Sequence, residues 1–473
     1  MAAIRMRSTL TVAFTQFGVE GLGLLRNVLL ARALGPSEMG LVAALTLTLS
    51  LVEMISDFGP DRLLVQAEDG DAPEFQSTAH SLLALRGLLT AGLLALLAFP
   101  LAQWIGRPES CWAIAALGLV PAIRGFQHLD AKRIQRQQKF QPSLIIELSA
   151  ALVATAAVAV ATRWLPRGEV LVWVSLLQAL TLVVASRSVA ERPYQLGLNR
   201  ELLRRLFVFG WPLALNSLIM FGAFQGDRLV VMLSATPAEL GRYAVAFQLT
   251  MVPALLISRV ASTAWLPGLA RSQGDPMAYY LRMSECTAWL GLVGQLFSLG
   301  ILACGNRVIG LLYGPDYPLP GAVMAWLGIM QGWRILRAGP SLFAMSRADT
   351  WNPLASNLLR LLGIAAAATA GLSGAGLEVV AICGCAGEVL AMAGAIVLLR
   401  RRHHLEVCPL VSSSLLFAGC VAAGWLASSV DQTLSLRLIS LAGVVFCLGM
   451  TVRQLVRLRF ASVPRPRVIP TGL

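Results

Sequence analysis

Ionisable side chains sit inside long apolar stretches of this chain, at spacings that give them common helix faces. Gln16, Glu20 and Asn27 fall at i, i+4 and i+11, with Arg26 beside them. Ser50, Glu53, Asp57 and Asp61 share one face of the next stretch. Further on, Asn216 precedes Asp227-Arg228, and Gln248 precedes Ser258-Arg259. Arg124 and Arg334 occupy equivalent depths in two halves of the chain, with Arg337 one turn beyond Arg334. Charge is costly inside a bilayer, so such residues are functional candidates until a structural ion pair or snorkelling accounts for them. The planar guanidinium fork binds phosphate or pyrophosphate in a bidentate manner. Arg26, Arg124, Arg228, Arg259, Arg334 and Arg337 are therefore the candidate anion ligands. Glu53, Asp57 and Asp227 would repel the same anion and read as arginine partners or as proton or cation sites for coupling. Arg86 and Arg360 lie about two turns from a span end, within snorkelling reach.

The elements that must position these residues are membrane helices. Of 473 residues, 56% are apolar and only 13% charged, and the mean hydropathy is +0.70. Soluble domains carry about 25% charged residues, so this composition excludes an ordinary soluble protein and a disordered one. Fourteen stretches reach the length of about 20 residues that a spanning helix needs. They include Leu10–Leu34, Gly40–Val65, Ser110–Asp130, Pro320–Met345 and Gly376–Leu399. With the N-terminus in the cytoplasm, only Arg32, Arg107, Arg163, Arg167, Arg242, Arg307 and Arg437 fall in loops on the far side. The other loop arginines and lysines fall on the cytoplasmic side, which predicts cytoplasmic N- and C-termini.

Three pairs of segments repeat in order. Pro36-Ser37-Glu38-Met39-Gly40 matches Pro237-Ala238-Glu239-Leu240-Gly241. Leu117-Gly118 with Arg124 matches Leu327-Gly328 with Arg334, and Gln141-Pro142 matches Asn352-Pro353. Six spans separate each pair, so the repeat is parallel, as in two-lobe transporters. The expected fold is an all-α integral membrane protein of about fourteen transmembrane helices, two six-helix lobes plus two C-terminal helices. The expected domains are an N-terminal lobe (1–187), a cytoplasmic amphipathic connector (188–205), a C-terminal lobe (206–399), two extra spans (400–455) and a basic tail (456–473). Within the connector region, Asn199 is a candidate N-cap for a short interfacial helix whose Leu202, Leu203, Leu206 and Phe207 share a face.

Other chemistries lack their residues. The eight cysteines lie mostly in or beside apolar runs, as small hydrophobes do. Cys383-Gly384-Cys385 has no second pair or nearby histidine to complete a metal site. His80, His128, His403 and His404 form no metal pattern, no GxxxxGK[ST] loop is present, and no solvated basic domain exists to bind nucleic acid. No cofactor or metal is expected.

The segment Leu30-Ala31-Arg32-Ala33-Leu34-Gly35-Pro36-Ser37-Glu38-Met39-Gly40, followed by Ile55-Ser56-Asp57-Phe58-Gly59, resembles the opening of the Wzx-type polysaccharide-biosynthesis flippases. These belong to the multidrug/oligosaccharidyl-lipid/polysaccharide exporter superfamily. The resemblance implies a cavity lined by spans one, two, seven and eight, with Arg26, Glu53, Asp57, Asp227, Arg228 and Arg259 at its positions. It implies an undecaprenyl-pyrophosphate-linked oligosaccharide as substrate, alternating access coupled to an ion gradient or the membrane potential, and a bacterial cytoplasmic (inner) membrane location. Membrane lipids and the polysaccharide polymerase and co-polymerase proteins are the partners it implies. Two rivals stand beside it. A cation-coupled drug or metabolite antiporter of the same superfamily would have a cavity dominated by carboxylates. A membrane-embedded polymerase or ligase would need a sizeable external loop with catalytic residues, which the sequence does not contain.

Overall fold

The computed structural model describes residues 2–320, 322–428 and 434–462, with side chains over 16–320, 322–428 and 435–458. The basic Val463–Arg467 stretch of the expected tail lies outside the described residues. No strand occurs among those described. The helices are α1 (Ala2–Ala33), α2 (Pro36–Ile55), α3 (Pro60–Gln66), α4 (Pro73–Trp104), α5 (Cys111–Leu117), α6 (Leu119–Arg124), α7 (Asp130–Gln135), α8 (Gln141–Trp164) and α9 (Val170–Ser188). They continue as α10 (Arg200–Ser234), α11 (Pro237–Arg271), α12 (Pro276–Tyr313), α13 (Val323–Ser346), α14 (Trp351–Leu372), α15 (Leu377–His403), α16 (Cys408–Ser428) and α17 (Leu434–Ser462).

Eleven of these helices are long and apolar enough to cross a membrane: α2, α4, α8 to α12 and α14 to α17. The protein is an all-helical, multi-pass membrane protein. The expected count of fourteen would add α1, α13 and the α5–α6 region. Of these, α13 carries Gln331, Arg334 and Arg337 in its interior. The stretch expected as one span over 110–130 is broken into α5 and α6. Pro121 has no N–H to bond the Leu117 carbonyl, so the α-helical ladder lapses at Gly118.

The second expected span is also interrupted. α2 stops at Ile55, and α3 starts at Pro60. Gly59 takes a left-handed conformation, φ 59°, that its missing Cβ permits, and Pro60 disfavours helix in the residue before it. Asp57 caps the turn by accepting the Gly59 N–H at 3.1 Å. Asp57 therefore leaves the helix, and Asp61 sits on a different one.

The described residues form two compact units. The first comprises residues up to 248 together with 309–318 and 370–377; the second comprises 249–308, 319–369 and 378 onward. In the first unit, the segment expected as a short interfacial helix is the start of α10, which runs unbroken for 35 residues, about 53 Å at 1.5 Å per residue. Asn199 caps it, its Oδ1 accepting from Glu201 N at 2.9 Å and Leu202 N at 3.1 Å. Leu206 is buried among Leu63, Leu64, Phe75, Ala79 and Leu129. Part of the amphipathic face of this segment thus packs on α3 and α4 within the protein.

Candidate functional site

In the first unit, α2, α3, α4 and α6 surround a polar cavity of about 520 Å³. Ser50, Glu53, Asp57 and Asp61 all line it, although the helix is interrupted between Glu53 and Asp61. Arg86 and Arg124 line it as well. The Arg124 Nη1 donates to Glu53 Oε1 at 3.0 Å, and both side chains remain partly exposed. Asp57 accepts from Arg62 at 3.3 Å and from Arg86 at 3.4 Å. Arg86 also donates to Ser56 Oγ at 3.1 Å and to the Glu53 carbonyl at 3.2 Å. From its depth in α4, Arg86 therefore turns inward to a fixed network.

The remaining candidates of this unit are placed as follows. Arg26 on α1 donates to Gln178 Oε1 at 2.8 Å, so its hydrogen-bond partner is a neutral amide. The neighbouring Asn27 donates to Gln248 Oε1 at 2.7 Å, joining the polar positions of α1 and α11. Asp227 and Arg228 are buried on α10. Arg228 donates to Gln225, itself a lining residue of the cavity, and its guanidinium lies 5.0 Å from the Phe247 ring centroid. Asp57, expected as an arginine partner or a coupling site, is paired with Arg62 and Arg86.

In the second unit, Arg259 is exposed on α11. Arg334 and Arg337 on α13 converge on a residue the sequence reading did not single out, Glu388 on α15. Arg334 Nε donates to Glu388 Oε1 at 2.8 Å and Arg337 Nε to Oε2 at 3.0 Å. Arg360 on α14 brings its Nε to 3.0 Å from Oε1. Arg360 is fully buried and does not snorkel. Arg337 also donates to Asn357 at 3.2 Å. One carboxylate thus joins three guanidinium groups inside apolar helices. The signal that could have found it is a glutamate in the middle of the apolar run 376–399.

Polar contacts tie the segment around α7 to the residues that follow α9. The His128 Nδ1 accepts from Asp130 N at 3.1 Å, and its Nε2 lies 2.9 Å from the Arg192 carbonyl. Its imidazole is therefore held neutral, with the proton on Nε2. Burial pushes the His128 pKa below its ordinary value against the pull of Asp130. Asp130 accepts from Arg133 Nε at 2.5 Å and from Glu191 N at 2.7 Å. Burial opposes its ionisation, but these donors hold its pKa below the usual carboxylate value.

Comparison with known proteins fits this architecture. A family model described as "Polysaccharide biosynthesis protein" matches residues 29–318. The lipopolysaccharide biosynthesis protein WzxC of Escherichia coli (strain K12) is 21% identical over 63% of this chain. The succinoglycan biosynthesis transport protein ExoT of Rhizobium meliloti (strain 1021) is 23% identical over 67%. The matches span 61% and 64% of those relatives' own lengths. Among solved structures, the lipid II flippase MurJ in an inward closed conformation superposes with a TM-score of 0.70. It is 13% identical, with 96% of this chain and 99% of that one covered. An inward-facing multidrug resistance MATE family transporter of the MOP superfamily gives a TM-score of 0.64. It is 15% identical, with 83% and 98% covered. These structures share the fold.

Proposed function

We propose, for a chain that belongs to the polysaccharide biosynthesis protein family, that it translocates a lipid-linked oligosaccharide across the bacterial cytoplasmic membrane. The substrate is an undecaprenyl pyrophosphate carrying a sugar repeat for a surface polysaccharide, moved by alternating access of two lobes. It is a transporter and not an enzyme. The observation that carries the reading is the polar cavity of the first unit, where Arg86 and Arg124 sit among spanning helices. Guanidinium groups held in a membrane interior are placed to receive a phosphate anion. Cytoplasmic N- and C-termini, an inner-membrane location and work alongside polymerase and co-polymerase proteins follow from the same reading.

The chemistry runs through partner exchange. Arg26 has a neutral hydrogen-bond partner, Gln178, so an anion reaching it displaces an amide rather than a carboxylate. Arg124 must release Glu53 to take a phosphate oxygen. Glu53 and Asp57 serve as the arginines' resting partners, a role supported by the Glu53–Arg124 and Asp57–Arg86 pairs.

The test is flipping of a fluorescent polyprenyl-pyrophosphate oligosaccharide in vesicles containing the purified protein. A charge-assisted hydrogen bond contributes about 1.5–3 kcal/mol, so Arg26→Ala and Arg124→Ala should each slow flipping about tenfold or more at normal membrane levels. Lysine should restore only part of it, because it lacks the bidentate fork. Wild-type flipping by both alanine variants would remove the phosphate assignment.

A further inference from the structure

Arg86 lines a second cavity as well as the polar one. This second cavity, about 1490 Å³, lies within the first unit between α2, α4 and the start of α10. Its walls are apolar along most of their length, with Ile55, Phe58, Leu89, Leu93, Leu97 and Phe207 among them. The charged residues on it are Arg86, Arg200, Glu201 and Arg204. Arg200 and Arg204 stand one turn apart on α10, exposed, and make no ion pair among the described residues. The next arginine, Arg205, is engaged by Asp69 at 2.8 Å. From Arg86 to Leu97 the wall follows α4 for eleven residues, about 16 Å at 1.5 Å per residue. The groove therefore has a cationic end and an apolar length, the complement of an amphiphile with a phosphate head and a hydrocarbon tail.

We propose that this groove binds the polyprenyl tail of the lipid-linked substrate, with its first phosphate at Arg200 and Arg204. Arg86, shared by both cavities, is the point at which the headgroup passes into the polar chamber. This rests on the reading of the protein as a lipid-linked oligosaccharide translocase, and it adds where the lipid lies. The polyprenyl lipid is favoured over a bilayer phospholipid by continuity. The apolar groove meets a polar chamber at one side chain, and only a lipid carrying a large polar cargo would use both.

The experiment uses the full-length protein in nanodiscs and a polyprenyl phosphate probe that bears a photoreactive tail and no sugar. Labelling should map to α4 and α10 around Leu89, Leu93 and Phe207. Leu93→Trp, which fills the groove from a lipid-exposed position, should reduce labelling at least fivefold. The double variant Arg200→Glu/Arg204→Glu, whose side chains are exposed, should do the same without disturbing the fold. A tenfold excess of phosphatidylglycerol should leave labelling intact. Equal displacement by phosphatidylglycerol would identify the groove as an ordinary lipid site and overturn the proposal. Unchanged labelling in both variants would overturn it too. Flipping is measured separately. Normal labelling in a protein that flips nothing would sink the translocase reading and leave the lipid site standing; flipping without groove labelling would do the reverse.

Discussion

Replacing Glu388 by glutamine is the sharpest perturbation the structure offers. Its two oxygens serve Arg334, Arg337 and Arg360 at 2.8–3.0 Å. Glu388 and Arg360 are sealed completely, and Arg334 and Arg337 are only 4% and 6% exposed. Glutamine keeps the shape, removes the only negative charge among the four, and turns an N–H₂ toward guanidinium donors. Removing one partner of a buried pair costs about 3–5 kcal/mol, because the other charge stays buried. Here one carboxylate serves three buried guanidinium groups, so the loss should reach the upper end of that range. Set against a total stability of about 5–15 kcal/mol, it should lower the melting temperature in mild detergent by many degrees or empty the membrane of protein. The assay is fluorescence-detected size exclusion after heating, run on wild type, Glu388→Gln, and Glu388→Gln with Arg337→Gln. The double variant buries one cation fewer and should recover part of the loss. A Glu388→Gln protein that melts like wild type would refute the reasoning, as would a double variant that melts below the single one.

Three further outcomes follow from contacts elsewhere. A Cβ on Gly40 would meet the Pro237 carbonyl, and one on Gly241 would meet the Pro36 carbonyl, whereas one on Gly35 meets nothing within 4 Å. Backbone cannot swing aside, so Gly40→Ala and Gly241→Ala should each cost about 1–3 kcal/mol or more, read as melting temperature, with Gly35→Ala close to wild type. His128 is held neutral, its pKa depressed by burial. The stability it contributes is fully present above its unfolded pKa of about 6.5 and is lost as pH falls through the lower folded value. Wild type should therefore lose more melting temperature than His128→Asn between about pH 7 and pH 5, and parallel curves would exclude the effect. Glu53→Gln should tighten pyrophosphate-headgroup binding, because it frees Arg124 from a competitor. With both side chains partly exposed, the pair is worth about 1 kcal/mol, or about fivefold in Kd; weaker binding on titration would make Glu53 a positioning partner instead.

The helical membrane fold was legible because hydropathy measures the one property that a bilayer selects. Two segments that match in the sequence also meet in the structure: Gly40 packs on Pro237, and Gly241 on Pro36. What the sequence concealed was pairing. Arg334, Arg337 and Arg360 could be seen as intramembrane charges. Their shared Glu388 lies 28 to 54 positions away on another helix, and helical periodicity relates only residues on one helix. Breaks inside apolar runs were hidden for a related reason. Phe58-Gly59-Pro60 carries a turn signal, but averaging hydropathy over 20 residues passes through it. The consequence falls on a candidate site residue, since the break moves Asp57 off α2 and onto Arg62 and Arg86.

The arrangement of charge in the first unit implies an order of events for an anionic lipid. Among the described residues Arg200 and Arg204 have no carboxylate to give up, so a phosphate arriving there would displace only water. Arg86 and Arg124 each hold a carboxylate already, and a phosphate must displace Asp57 or Glu53 to gain them. Exposed cations capture quickly and weakly, because solvent and salt screen them. Partly buried, partnered cations accept a ligand only by exchange, which keeps the cost of leaving close to the cost of entering. A carrier needs that balance, since a site must bind its cargo firmly enough to load it and weakly enough to release it. The carboxylates that looked like obstacles to anion binding are, on this account, what allows the chamber to let the anion go.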